Sequence, residues 1–380
     1  MKITVHDGVA SIARNDWNAL ARDEYPFLQH EFLQLAEESG CVTAQHGWSP
    51  RHLTVSEGGK LRAAMPLYEK SHSWGEFVFD WAWANAYEQA GLSYYPKLIS
   101  AVPFTPAPCP KLLLRDPDDS EAAAGLLQGA ITLAAETDCS SFHVLFPAAA
   151  DLPHLEAAGM LIRKDCQFHW HNKGYTSFDA FLATFTSAKR KKARRDRRRV
   201  QEGGIKFRRI RGKDIDADTW SVVYRLICRT FMLRGSMPYY NELFFRGLAE
   251  QLPDGILVIL AEIGSTPVAA AVFFESDTHL YGRYWGSDGH YDSLHFETFY
   301  YQGIDYCIDS GKQVFEPGTQ GEHKISRGFS PVPTWSAHWL AHPQFSSAIE
   351  EYLGEEGKHV DRYMDAIDSR TPYKEPVDDS

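Results

Sequence analysis

The order of strands and helices in the second half of the chain is the feature that most restricts its fold. A strand follows Gly203 and Gly204, two helices come next, and three apolar strands then follow in hairpin order. The predicted elements are a strand at 205–210, helices at 218–233 and 239–252, strands at 256–262, 268–275 and 278–285, a helix at 293–310, strands at 313–315 and 334–340, and a last helix. Hairpins combined with a helical crossover predict an α/β fold of the α+β type, a mixed sheet with helices on both faces.

The first half of the chain repeats much of this order. The predicted elements are a strand at 2–6, helices at 16–21 and 30–39, a hairpin at 51–56 and 61–68, a helix at 120–137 and a strand at 141–146. Residues 80–110 carry too many prolines for the centre of a sheet, so we predict a long loop there, either functional or covering a sheet edge. We expect two domains, 1–165 and 166–380.

Composition restricts the class of protein. The 380 residues are 44% hydrophobic and 23% charged, which is typical of a globular chain. The longest apolar runs are strand-sized, far short of the roughly 20 residues of a membrane span, and the start lacks the apolar core of a signal peptide. The six cysteines are scattered without a CxxC pair, so we expect reduced thiols and a cytoplasmic protein.

A basic island lies at the start of the second half. The net charge is −11, yet residues 189–213 carry 14 Lys or Arg and two acids. The run SAKRKKARRDRRRVQEGG predicts a helix in which nine of the eleven residues from Lys189 to Arg199 are basic. Such a helix is either a solvated face paired with the acidic body or a contact for the phosphates of a nucleotide, coenzyme or RNA. The candidate phosphate-binding residues are Lys189, Arg190, Arg194, Arg195 and Arg198.

A strand-to-helix turn follows in YGRYWGSDGHYDSLHFETFYY, residues 281–301. Backbone amides at such a turn can bind an anion or polarise a carbonyl group. The Gly-rich pyrophosphate loop of ordinary acetyl-CoA binders is replaced here by GHYDSL, which counts against that mode of coenzyme A binding. Helical spacing predicts that Glu297, Tyr300 and Tyr301 lie on related faces. Candidate substrate-binding residues in this stretch are Arg283, Trp285 and His295.

The stretch FEPGTQGEHKISRGFSP, residues 315–331, is the strongest candidate site. Its three glycines allow tight turns, and its charge excludes a buried strand. Phe315, Ile325 and Phe329 would anchor the loop on the body of the domain. The chemically useful side chains are Glu316, Glu322, His323, Lys324 and Arg327.

Other chemistries find less support in the sequence. The pairs His169 with His171 and His295 with Glu297 have metal-ligand spacing on a strand, but neither has a convincing third and fourth ligand, so no metal site is predicted. There is no GxSxG elbow, P-loop or HExxH motif, which argues against those hydrolases and nucleotidases.

Four stretches resemble a bacterial family of N-acyltransferases of unknown function, of the peptidoglycan biosynthesis or recognition type. That family is related to the FemAB aminoacyltransferases and to the GNAT acyltransferase superfamily. The stretches are PFTPAPCPKLL (103–113), SAKRKKARRDRRRVQEGGI (187–205), LHFETFYYQGIDYCIDSG (294–311) and FEPGTQGEHKISRGFSP (315–331). The family carries Gly and Arg where this chain has Cys109 and Lys111, which weakens any role of the first stretch in binding.

The resemblance implies two tandem GNAT-like domains and direct attack of an amine on an activated carbonyl. Three functions stay open: an acyl-CoA-dependent N-acyltransferase, an aminoacyl-tRNA-dependent ligase acting on a peptide or cell-wall precursor, and a non-catalytic recognition module. In either enzyme the acyl-CoA or aminoacyl-tRNA is a co-substrate, and no tightly bound cofactor is expected. The residue types nominate Glu316, Glu322, His323 and Glu297 as bases, Tyr300 or Tyr301 as the acid, and Lys324 and Arg327 as ligands of the carrier or acceptor.

Overall fold

The computed structural model describes residues 1–22, 25–319 and 321–374. Its contacts divide the chain into two compact units. Unit 1 contains residues 1–166 and 333–362, and unit 2 contains 167–332 and the residues from Tyr363 onward. Residues 333–362 group with unit 1 in the structure. The division made from the sequence had put them in the C-terminal domain. Among the helices of the described ranges, none has both the length and the apolar character needed to cross a membrane.

Unit 1 combines two sets of strands with several helices. Its strands are β1 (Lys2–His6), β2 (Trp48–Pro50), β3 (His52–Glu57), β4 (Lys60–Met65), β5 (Tyr68–Lys70), β6 (Lys97–Ser100), β7 (Leu113–Leu114), β8 (Ser141–Leu145), the start of β9 (Leu161–His171) and most of β15 (Ser330–Leu340). Its helices are α1 (Arg14–Ala21), α2 (His30–Glu38), α3 (Trp81–Gln89), α4 (Ser120–Glu136), α5 (Leu152–Ala157) and most of α11 (Pro343–Asp368).

The two strand sets of unit 1 follow from local sequence signals. One set has the order β1-β3-β4-β7, and the other includes β2, β5, β6, β8 and β15, with β6 and β8 parallel. Gly58 and Gly59, both with positive φ, turn the β3–β4 hairpin. The side chain of Asp119 caps α4 by accepting a bond from the Ala122 amide at 3.0 Å. The apolar face of α4 packs in one core cluster with β3 and β4.

One prediction for unit 1 is wrong. Residues 80–110 are not one loop, because they contain α3 and the buried strand β6. Pro96 precedes β6, and the remaining prolines of the passage lie beyond its end, at 103–110, so they interrupt neither element.

Unit 2 contains a mixed sheet made of the five strands predicted between residues 205 and 315 and one strand, β9, that was not predicted. Its strands are the end of β9, β10 (Ile205–Arg211), β11 (Ile256–Ile263), β12 (Thr266–Glu275), β13 (His279–Ser287) and β14 (Val314–Glu316). Its helices are α6 (Phe178–Ala183), α7 (Ser187–Glu202), α8 (Ala217–Met232), α9 (Glu242–Gln251) and α10 (Gln302–Ser310). The strand order is β10-β11-β12-β13-β14-β9, antiparallel except for the parallel pair β13–β14. The helix predicted at 293–310 is α10 preceded by a π-helical turn, Phe296–Tyr301.

Candidate active site

Close packing of a helix on a strand forms a cavity in unit 2. A Cβ atom on Gly286, in β13, would lie only 2.1 Å from the carbonyl oxygen of Leu226, in α8. Because only glycine permits this approach, the C-terminal end of α8 lies directly beside the end of β13. A cavity of about 490 Å³ opens between these ends and the turn that follows β13.

The lining of this cavity is cationic and aromatic. Arg229 and Arg234 come from the end of α8 and the turn after it, while Trp285, His290 and His295 come from β13 and the next turn. Among the described residues, no Asp or Glu lines the cavity, and neither arginine makes an ion pair. The site therefore suits an anionic group beside a flat or apolar one.

Sequence reasoning selected Trp285 and His295 but missed both arginines of the cavity. Arg229 and Arg234 stand in an ordinary amphipathic helix and the turn after it, and neither belongs to a motif. The contact of α8 with Gly286 gives them their position. That contact was signalled only by a glycine at the end of a predicted strand.

The chain enters the next helix through an irregular turn. Ser293 has φ of 64°, which is strained for a residue with a side chain, and residues 296–301 form the π-helical turn. The turn separates the side chains that helical spacing had placed together. Glu297 accepts bonds from Arg197 at 3.1 Å and Gln302 at 2.8 Å, whereas Tyr300 bonds His323.

Two histidines and a tyrosine lie close together, and one of them, His295, lines the cavity. The Tyr300 hydroxyl and His323 Nε2 are 2.8 Å apart, and the His295 ring lies 5.5 Å from the Tyr300 ring and 6.4 Å from the His323 ring. Burial, with the neighbouring cations, lowers the pKa of both histidines to about 4. Both are thus neutral at pH 7 and able to accept a proton.

Arg327 stabilises this group rather than reaching into solvent. Its guanidinium lies 3.5 Å from the centre of the Phe296 ring, and its Nη1 donates to the His323 carbonyl oxygen at 2.5 Å. The side chain is buried, 3% exposed, so it fixes the backbone of the Gly-rich loop against the π-helical turn.

Glu316 forms a second, separate polar group with Arg283. Arg283 Nη1 donates to Oε1 at 3.1 Å, Nη2 donates to Oε2, and the Gly318 amide donates to Oε1 at 2.6 Å. Burial would raise the pKa of Glu316, but Arg283 holds it below its usual value. Lys324 donates to the Gly318 carbonyl oxygen, and burial lowers the pKa of its ammonium to about 7.

The other nominated acids and tyrosine lie apart from these two groups. Glu322 is about half exposed and accepts a bond from Tyr363 at 3.2 Å, with Arg370 4.0 Å away. Burial raises the pKa of Glu297, although Arg197 opposes the shift, and Oε2 of Glu297 is buried without a hydrogen-bond partner. Burial also raises the pKa of Tyr301, to about 12. Gln320, within the Gly-rich loop, lies outside the described residues.

The basic helix α7 has a buried stripe and an exposed cationic face. Ala193, Asp196 and Val200 are buried, and Val200 packs in one cluster with Leu294 of the cavity lining. The helix thus ends beside the cavity. Arg197, which sequence reasoning did not select, is the arginine that contacts the body, through Glu297 and Asp305.

The five basic residues predicted to bind phosphate differ in their contacts and in their exposure. Arg194 pairs with Asp179 at 3.0 Å, Arg198 lies 3.6 Å from Glu202 in the same helix, and Arg190 donates to a carbonyl oxygen. Lys189 is partly buried, and Arg195 is exposed without an ion pair in the described chain. Exposed cations without ion pairs also stand at Lys191, Lys192 and Arg199.

No group of three or more His, Cys, Asp or Glu in the described ranges could hold a metal ion. No disulfide joins any of the six cysteines, all of which are described.

Comparison with known proteins shows the family to which the chain belongs. The family model described as FemAB-like, peptidoglycan biosynthesis and recognition, matches residues 8–375. No curated protein matched the sequence. Solved structures share the fold. FemX is 12% identical with a TM-score of 0.56, and the match covers 92% of this chain and 100% of FemX. The L-PGS of Bacillus licheniformis is 12% identical with a TM-score of 0.51, and the match covers 85% of this chain and 96% of that protein. A protein of unknown function from Bacteroides thetaiotaomicron is 11% identical with a TM-score of 0.52, and the match covers 89% of this chain and 99% of that one.

Proposed function

The chain belongs to the FemAB-like family of peptidoglycan biosynthesis and recognition and is a transferase of acyl or aminoacyl groups, and we propose that it moves an acyl group from acyl-CoA to an amine. The predicted family and the predicted mixed α/β fold are confirmed. The observation that carries the donor assignment is the cavity of unit 2, which is cationic and has no Asp or Glu among its described lining residues. In this proposal the donor arm occupies that cavity.

The arginines of the cavity supply what a coenzyme A carrier requires. Arg229 and Arg234 have no ion pair within the described chain, so their guanidinium groups are available for diphosphate oxygens. The volume of about 490 Å³ suits a pantetheine arm rather than a whole macromolecule. Ser287 ends β13 and Gly289 belongs to the turn after it, where backbone amides can face the thioester carbonyl.

The neutral histidines supply the proton acceptor that the reaction requires. The amine nitrogen attacks the thioester carbon, a C–N bond forms, and the C–S bond breaks on collapse of the tetrahedral intermediate. The nitrogen loses one proton, for which His295 in the cavity lining is our acceptor, and the leaving thiolate gains one. Tyr300, bonded to His323, stays a phenol because burial raises its pKa, and it is our donor to the thiolate.

The nominated carboxylates fit a positioning role better than that of a base. Glu316 is bound on both oxygens, and Glu297 is 2% exposed beside Arg197. We propose that Glu316 holds Arg283 and the start of the Gly-rich loop, while Glu297 holds α7 against the π-helical turn.

The basic helix favours a second candidate, transfer from aminoacyl-tRNA, which the family resemblance also implies. Lys191, Lys192, Arg195 and Arg199 form an exposed face without ion pairs in the described chain, and the helix ends beside the cavity. A polyanion would bind such a face, whereas the diphosphate of coenzyme A needs only the two arginines of the cavity.

A thermal-unfolding experiment separates the two carriers. We expect coenzyme A and acetyl-CoA to raise the melting temperature of the protein, because a ligand that binds only the folded state stabilises it. The increase should disappear in an Arg229→Gln/Arg234→Gln variant and persist in the matched control Arg208→Gln, an exposed arginine paired with Glu262.

The opposite pattern contradicts the coenzyme A assignment. It would consist of no increase with either coenzyme, together with tRNA binding that weakens steeply with salt and is lost in Lys191→Gln/Arg195→Gln. That result would make aminoacyl-tRNA the donor.

A further inference from the structure

A short segment beside the cavity exposes an unusual amount of apolar surface. Met232, Leu233, Met237 and Leu243 are 58, 79, 64 and 70% exposed. They belong to the end of α8, the turn after it and the first residues of α9, and we call residues 232–243 the apolar turn. Large apolar side chains concentrated in this way mark an interaction surface rather than random exposure.

The apolar turn is an ordered structure. The Phe231 and Tyr239 rings contact each other edge to face at 5.8 Å, and the Ser236 amide donates to the Phe231 carbonyl oxygen at 3.1 Å. Tyr240 stacks on Phe244 at 3.9 Å. These contacts fix both ends of the segment, so its exposed side chains are held outward instead of folding back onto the core.

Unpaired arginines flank the apolar turn. Arg225, Arg229 and Arg234 are exposed and make no ion pair in the part of the chain that the structure describes. The acid within the segment, Glu242, is engaged by Arg246 at 2.5 Å and by Ser221 at 2.9 Å. The local charge is therefore positive on a protein whose net charge is −11.

We propose that the apolar turn docks on an anionic phospholipid surface. Methionine and leucine side chains would enter the boundary between headgroups and acyl chains, while the arginines contact lipid phosphates. A protein partner would also cover apolar side chains, but three unpaired arginines around them match the charge of an anionic bilayer. Leu233 and Arg234 also line the cavity, so docking would bring its mouth to the membrane surface.

Vesicle sedimentation tests the docking directly. The full chain should sediment with vesicles of phosphatidylcholine containing 30% phosphatidylglycerol and stay in solution with pure phosphatidylcholine. Arg229→Gln/Arg234→Gln should weaken binding to the anionic vesicles about 30-fold, because each charge lost at an anionic surface weakens binding about fivefold. Met232→Ser/Leu233→Ser should weaken the same binding by at least a similar factor, because each apolar side chain buried in the membrane strengthens it about fivefold or more.

Matched variants separate the apolar turn from the basic helix. Lys191→Gln/Arg195→Gln removes two exposed charges from α7, and Ile263→Ser removes an exposed apolar side chain elsewhere in unit 2. Both should sediment as the wild type does. An unchanged melting temperature in each variant shows that folding is intact. Because coenzyme A is absent from the assay, its outcome does not depend on the donor proposed above.

Three results would overturn the docking proposal. The first is equal sedimentation with neutral and anionic vesicles. The second is loss of sedimentation only when the charges of α7 are removed. The third is a dimer in sedimentation velocity that Met232→Ser/Leu233→Ser dissociates, without any binding to vesicles, because the apolar turn would then be the contact between two copies.

Discussion

Replacing Glu316 by glutamine should destabilise unit 2 by about 3–5 kcal/mol, the usual effect of leaving one partner of a buried ion pair without its counter-charge. The side chains of Glu316 and Arg283 are 1% and 6% exposed, and glutamine keeps the size while removing the charge. Arg283 would remain in the core, where it repels the Lys324 ammonium, and the Gly318 amide would lose a charged acceptor.

Urea unfolding followed by tryptophan fluorescence measures this effect. The matched control is Glu262→Gln, whose partner Arg208 is 52% exposed, and it should cost about 0–1 kcal/mol. The double variant Glu316→Gln/Arg283→Met should lose less stability than the two single changes added together, because neither charge is then left alone.

The pH dependence gives a second readout of the same pair. The folded pKa of Glu316 lies below its unfolded value, so the pair contributes its full stability above about pH 4.3 and loses it as the pH falls through the folded pKa. Glu316→Gln should lack this part of the acid destabilisation. A loss no larger than that of Glu262→Gln, or an unchanged acid profile, would refute the structural role of the pair.

Three further predictions concern neighbouring residues. Gly286→Ala should destabilise the protein by at least about 1–3 kcal/mol in urea unfolding, because its Cβ would lie 2.1 Å from the Leu226 carbonyl oxygen; a neutral change would contradict the close contact. Arg197→Gln should cost about 3 kcal/mol by leaving Glu297 buried and unpaired, and a loss under 1 kcal/mol would contradict this. With the folded pKa of His295 at about 4 and an unfolded value near 6.5, stability should fall as the pH is lowered between them; His295→Asn should flatten that slope in urea midpoints, and an equal slope would refute the shift.

The succession of strands from β10 to β14 in unit 2 could be predicted from the sequence because its signals are local. The three hairpin strands are apolar runs separated by short turns, and Gly311 ends α10 with φ of 72°. Gly318, Gly321 and Gly328 all have positive φ, as their place in a turning loop required. In each case the residue type alone restricts the backbone.

The details of the site could not be predicted because they depend on distant contacts. A π-helical turn has no sequence signature of its own, so the sequence could not predict that Glu297 and Tyr300 would have different contacts. Nine similar cations in α7 gave no reason to prefer Arg197, whose distinction is the buried carboxylate opposite it. Arg229 becomes part of the cavity only through the packing of α8 on β13.

The structure of the protein with bound coenzyme A tests the central claim most directly. The account predicts the diphosphate between Arg229 and Arg234 and the sulfur atom directed toward His295, inside the cavity of unit 2. Coenzyme A bound elsewhere on the chain, with this cavity empty, would contradict it.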